Sequence, residues 1–191
     1  RSREGLSSPD LQLLFTPASY SERTLGKLEQ EDGMTVAVCP VRPASRGTIM
    51  AGSSDPFVRP EIRPNYLSDP DDVRVLLAGI QQTREIFSQP ALQHYSSKET
   101  APGIQTQTSE ELESFARENG SIIYHPVSTC RMGDDAMAVV DPRLRVHGIK
   151  GLRVVDASIM PTVTTGNTNA PTIMIAEKAS DMILKDARQA S

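Results

Sequence analysis

Between Asp10 and Pro64 every β-prone run is short, and each is cut by proline or glycine. "LQLLF", "MTVAVCPV" and "GTIMAG" carry the apolar and β-branched residues of a half-buried strand. None can extend into a long central strand, because proline brings no N–H to a ladder and fixes its own φ. The segment therefore predicts short antiparallel pairs. Such pairs need another layer to cover their apolar face, and helices must provide it.

Helical patterning begins at Asp69. Asp69-Pro70 is an N-cap followed by a proline in the first helical position, and Val73, Leu76, Leu77, Ile80, Ile86 and Phe87 mark an apolar face over 69–87. A second helix is predicted over "TSEELESFAREN", with Thr108 or Ser109 as cap and Glu111 or Glu110 closing the capping box. "SQPALQHYSSKETAPGIQTQ" between them reads as a polar connector. With 38% hydrophobic residues among 191, the chain can bury a core of one or two domains.

Charge and cysteine usage exclude several classes. A net charge of −4 offers no basic field for nucleic acid or an anionic membrane surface. Cys39 and Cys130 stand in no CxxC and beside no histidine at ligand spacing, so free thiols are expected and no metal site. No apolar run approaches the roughly 18–20 residues that span a bilayer, and "RSREGLSSPD" is not a signal peptide. A soluble protein, cytoplasmic in location, is the expectation. The first residue is not methionine, which suggests a piece of a longer chain.

The C-terminal third holds the candidate chemistry. "SIIYHPV" reads as a short strand ending at His125, because Pro126 keeps the preceding residue extended. "LRVVDAS" reads as a buried strand with Asp156 at its carboxyl end, where open α/β sheets place ligand contacts. "TTGNTNAPTIMIAEKASDMILKDA" is a loop running into a helix capped by Asn169, with Pro171 in its first turn and a stripe of Ile173, Ala176, Ala179, Ile183 and Ala187. The unpaired N–H groups at such a helix start suit an anion. The same residues also describe a satisfied histidine, a turn-capping aspartate and an ordinary docking helix, and local pattern leaves both sets of roles open.

Taken together, "YHPVSTCRMG", "VVDPRLRVHGIKGLRVVDASIMP" and "GNTNAPTIMIAEKASDMI" resemble the C-terminal signature of the glucose–methanol–choline family of FAD-dependent oxidoreductases. "PVRPASRGTIMAGSSDPFVRPEIRPNYLSDPDD" resembles its substrate-domain segment. The resemblance implies a mixed α+β and α/β fold: an antiparallel-sheet substrate domain with flanking helices over 1–120, and the last strand and helix of an FAD-binding domain over 121–191. It implies that His125 faces the flavin as base toward a substrate hydroxyl, and that Asn167 is the second member of the catalytic pair. Asp156 and Ala157 match the segment that contacts the FAD pyrophosphate and ribityl chain. Asn169, Ala170, Pro171 and Thr172 match the helix start beside the isoalloxazine.

The implied partners are FAD, a small-molecule alcohol and the rest of the same enzyme, since no GxGxxG occurs in the 191 residues. A hydroxynitrile lyase-like member, or a non-catalytic module pairing with a separate FAD-binding chain, would share these residues.

Overall fold

The computed structural model describes residues 1–20 and 27–190. The chain divides into two compact units, one of residues 1–46 and 65–122, the other of 47–64 and 123–191.

In the first unit, strands β1 (Leu11–Thr16) and β2 (Thr35–Pro40) pair antiparallel, from Leu11 opposite Pro40 to Thr16 opposite Thr35. Helix α1 (Pro70–Phe87) covers the pair. The approach is close: a Cβ on Gly79 would stand 2.4 Å from Val38 Cγ1 and 3.0 Å from Leu11 Cδ2. Asp69 caps α1 through the Asp71 N–H, as expected, with Pro70 starting the helix. One turn later the buried Asp72 accepts from the Ala44 N–H at 2.7 Å and the Ser45 N–H at 2.8 Å, tying α1 to the chain after β2. Of the expected apolar face, Val73 is buried, whereas Ile86 is exposed. Asp72 and Gly79 occupy inner positions that an apolar pattern cannot show.

Helix α2 (Pro90–Gln93) is a single turn inside the segment read as a connector. Helix α3 (Ser109–Asn119) carries the expected capping box, with Thr108 accepting from the Glu111 N–H and the Glu111 carboxylate accepting from the Thr108 N–H. Its Leu112 is fully buried, and Arg117 donates to the Leu67 carbonyl at 3.0 Å.

The second unit is built differently. Strands β3 (Thr48–Met50) and β4 (Glu61–Arg63) form a three-residue antiparallel hairpin, exposed throughout. Residues 123–168 contain no named strand and one short 3₁₀ turn, Ala157–Ile159. They are held by isolated bridges between Met132 and Val140, Val140 and Val146, and Arg145 and Arg153. Val140, Leu144, Ile159 and Met160 form a core with Ile175 and Ala179 of helix α4 (Asn169–Ala190).

Three expectations are corrected here. "SIIYHPV" is not a strand: Tyr124 and Ser128 on either side of His125 have φ of 59° and 73°, a left-handed backbone that interrupts any ladder. "LRVVDAS" is not a strand either, its ladder pairing being limited to the single Arg145–Arg153 bridge, closed by the Val146 N–H to Leu152 carbonyl and the Val154 N–H to Leu144 carbonyl bonds. The buried side of α4 runs through Ile175 and Ala179, with Met182 and Asp186 half-buried, while Ile173 and Ile183 of the expected stripe are exposed. Asp186 lies on that side. Arg143 and Arg153 both donate to its carboxylate, and the bond from Arg153, against the opposing push of burial, holds that carboxyl below the usual range. An ion triad, which hydrophobic periodicity does not register, lies on the same side of α4 as Ile175 and Ala179.

Candidate functional site

His125 reaches its position from an irregular segment with two anchors. The φ of 59° at Tyr124 turns the chain just before it, and Pro126 restricts the backbone just after it. Downstream, the Cys130 N–H donates to the Ser158 carbonyl at 3.0 Å and the Met132 N–H to the Ile159 carbonyl at 2.8 Å. These bonds lock the histidine segment onto the 3₁₀ turn, whose Ile159 is in the core. The turn is capped by Asp156, whose side chain accepts from the Ser158 N–H at 2.8 Å.

The other side of the site comes from the start of α4. The Thr168 carbonyl accepts from the Thr172 N–H at 3.0 Å, and from its hydroxyl at 2.6 Å, so Thr168 rather than Asn169 holds the capping position. Asn169, Ala170 and Pro171 then fill the first turn, where the missing N–H of Pro171 costs no helical bond. Gly166 precedes with a φ of 131°, and a Cβ there would meet nothing within 4 Å.

These two segments bring together residues 42 positions apart. Asn167 Nδ2 lies 2.9 Å from His125 Nε2. On the other edge of the ring, His125 Nδ1 lies 2.9 Å from Thr168 Oγ1. His125 is half-buried, Asn167 exposed and Thr168 buried, so the imidazole is gripped by one inner and one outer residue of a single dipeptide. Sequence reasoning did not single out Thr168. Its only signal was its place between the two asparagines of "NTN".

The remaining candidates lie on both flanks of this cluster in the chain. Asp156 is exposed with one carboxylate oxygen committed to its turn, and Ala157 begins that turn. Asn169 and Ala170 are exposed at the tip of α4, while Pro171 and Thr172 are half-buried. Helix geometry leaves the first N–H groups of α4 without intrahelical acceptors, which gives this tip partial positive character. A groove of about 540 Å³ along α1 and α3 is lined by Leu67, Val73 and Arg117 among others, and by none of these candidates. Among the described residues no group of His, Cys, Asp and Glu is arranged to hold a metal, and no helix is long and apolar enough to cross a membrane.

Chemically, the pair offers a proton acceptor and a neutral donor. An imidazole nitrogen with a lone pair can take a hydroxyl proton, and an amide N–H can stabilise the oxygen left behind.

Comparison with known proteins places these residues in context. The model of a family described as GMC oxidoreductase matches residues 43–176. An oxygen-dependent choline dehydrogenase of Pseudomonas savastanoi pv. phaseolicola is 48% identical over 183 residues, which is 96% of this chain and 32% of that protein. An alcohol dehydrogenase [acceptor] of Pseudomonas putida is 45% identical over 183 residues, again 96% of this chain and 33% of the relative. Among solved structures, an FAD-dependent oxidoreductase from Chaetomium thermophilum superimposes with a TM-score of 0.75 at 34% identity, covering 82% of this chain and 27% of its own. The chain thus spans about a third of the length of the curated relatives it matches.

Proposed function

Because this chain belongs to the GMC oxidoreductase family, we propose that it is the C-terminal portion of an FAD-dependent enzyme that oxidises the CH–OH group of an alcohol, with His125 as base and Asn167 as its hydrogen-bonding partner. The observation that carries the proposal is the 2.9 Å contact between Asn167 Nδ2 and His125 Nε2. It pairs a lone-pair acceptor with a neutral donor, so that a substrate hydroxyl entering between them can give its hydrogen to one and accept from the other.

The residues present fit a flavin. The start of α4 exposes Asn169 and Ala170 immediately after the His125 partners, and an electron-rich ring edge is stabilised by such N–H groups. The open space over Gly166 leaves the approach clear. Asn169, Ala170, Pro171 and Thr172 would hold the isoalloxazine side of FAD, and Asp156 with Ala157 its pyrophosphate and ribityl side. FAD, when bound, supplies the two-electron acceptor.

The chain's own residues do the rest. His125 Nε2 accepts the alcohol proton through its lone pair. Asn167 donates its amide N–H to the same oxygen as alkoxide character grows, and since an amide does not titrate its help is electrostatic. The Nδ1 edge of the ring is bonded to the buried Thr168.

In this proposal residues 1–120 belong to a substrate domain and 121–191 to the end of an FAD domain. The rest of the enzyme carries the adenine site and the Gly-rich pyrophosphate contacts, so residues 1–191 alone should bind FAD weakly; a fluorescence titration measures this. The alcohol is small, the choline and alcohol dehydrogenases being the guide to its class. The two free cysteines, Cys39 buried and Cys130 half-buried, suit a reducing cytoplasm.

Anaerobic mixing of the full-length enzyme with choline and a panel of simple alcohols tests the central claim. At least one should bleach the flavin. Cleavage of a cyanohydrin with no bleaching by any alcohol would point instead to lyase chemistry on the same fold.

A further inference from the structure

An amide nitrogen has two hydrogens and no lone pair available to accept, so a ring nitrogen facing it at 2.9 Å must itself be the acceptor. His125 Nε2 is therefore unprotonated, and a neutral imidazole then carries its hydrogen on Nδ1. Nδ1 lies 2.9 Å from Thr168 Oγ1. From this we infer that Thr168 is a positioning residue: its hydroxyl oxygen accepts the Nδ1–H of His125, holding the ring in the tautomer and orientation that keep Nε2 unprotonated and directed at Asn167, where the substrate hydroxyl is engaged. The inference rests on the role of His125 proposed above and goes beyond it by assigning what poises the base.

Three features of Thr168 suit it to this task and distinguish it from Asn167. It is 8% exposed, so the bond it makes is shielded from competing water. Its carbonyl is fixed by two bonds from Thr172, which anchors its backbone to the first turn of α4. Its β-branched side chain has few rotamers, so the hydroxyl does not wander. Asn167, one residue earlier and exposed, lacks that shielding and is the partner a substrate oxygen can reach. The buried partner therefore fixes the ring, and the exposed partner answers the substrate. When Nε2 takes the hydroxyl proton, the Nδ1–H stays bonded to Thr168 Oγ1 and the new Nε2–H points to the substrate oxygen that gave it.

The experiment uses the full-length holoenzyme with ring-¹⁵N-labelled histidine, the His125 signals being identified by their disappearance in His125→Gln. In the wild type, Nδ1 should show the protonated signature and Nε2 the unprotonated one. Thr168→Val, similar in shape, should shift that population toward the Nε2–H form. The same variant should slow flavin reduction by roughly tenfold to a hundredfold with little change in KM, as loss of a partner that orients a functional histidine does elsewhere. Thr168→Ser should recover most of the rate and the wild-type spectrum, and Thr168→Ala should reproduce Thr168→Val. A wild-type spectrum with hydrogen on Nε2, or a Thr168→Val spectrum identical to wild type, overturns the inference whatever the rates are. Wild-type reduction rates in His125→Gln would instead overturn the role of His125 as base, while the tautomer spectra would still decide what Thr168 does.

Discussion

The two units solve the same problem with different materials. Residues 1–46 and 65–122 use repeating structure: a six-residue strand pair, a helix laid across it, a second helix with a capping box. Residues 123–168 have no such repeat, and their core around Val140 and Leu144 is enclosed by turns, single bridges and left-handed residues at Tyr124, Ser128 and Leu144. The catalytic candidates all fall in or next to this irregular stretch. Regular elements propagate one geometry, whereas a site has to bring His125 and Asn167 from unrelated backbone directions onto one point. Non-glycine residues at positive φ cost about 1–3 kcal/mol each, and two of them, Tyr124 and Ser128, flank His125 where the chain turns.

The sharpest way to test that contrast is to remove the imidazole. His125→Ala in the full-length enzyme should lower the rate of flavin reduction by roughly 10²–10⁴, with bound FAD still visible in the absorbance spectrum. Loss of FAD, or reduction at wild-type speed, would mean that His125 serves packing. Asn167→Ala should cost less, roughly tenfold to a hundredfold, the worth of one hydrogen bond to a charged oxygen. Asn167→Asp should be slower still than Asn167→Ala, because it sets a carboxylate beside a developing alkoxide. If Asp proves faster than Ala, the neutral-donor role is wrong.

Legibility in the sequence follows the same divide. The caps of α1 and α3 were readable because Asp69-Pro70 and Thr108 with Glu111 act locally, through bonds spanning two or three residues. β1, β2 and β3 were readable because alternation and flanking prolines act locally too. β4 was missed, being three residues whose pairing depends on a partner some twelve positions away. The supposed strands at 121–127 and 152–158 have strand-like composition, but their partners are single bridges and turn bonds that composition does not encode. At the site, His125 and Asn167 were legible as members of motifs that resemble a family. Thr168 was not, since a threonine between two asparagines looks the same whether its hydroxyl meets a ring nitrogen or water.

In the regular unit the largest effects should be on stability and leave the chemistry alone. Leu112→Ala deletes a side chain with no exposed surface and should destabilise by about 2–5 kcal/mol. Gly79→Ala gives a sharper test, because helix propensity and packing predict opposite signs. Alanine is favoured over glycine in a helix interior by about 1 kcal/mol, yet its Cβ would lie 2.4 Å from Val38 Cγ1. Overpacking of that kind costs typically about 1–3 kcal/mol, so the net effect should be destabilising. A raised Tm in Gly79→Ala would show that α1 can lift off the strand pair at little cost, and that the regular unit is less tightly built than its geometry implies.

The smallest expected effect lies in the irregular unit and concerns acid. Asp135 receives two hydrogen bonds from Arg131, at 2.5 and 2.7 Å, and one from the Met137 N–H at 2.9 Å. The Arg131 bonds first, and the Met137 N–H second, lower its carboxyl to about 2. A folded-state value below the unfolded one stabilises the protein at any pH above the unfolded range, near 4 for aspartate, and that contribution disappears as pH falls toward about 2. The pair is exposed, so solvent and salt screen it and the contribution is small. Asp135→Asn should therefore lower Tm slightly at neutral pH, and the gap from wild type should close between about pH 4 and pH 2. Added salt should narrow the same gap. A difference that persists unchanged at pH 2 would show that the charge linking Asp135 to Arg131 is not its source, since asparagine can still accept the Met137 N–H and the turn bond is kept.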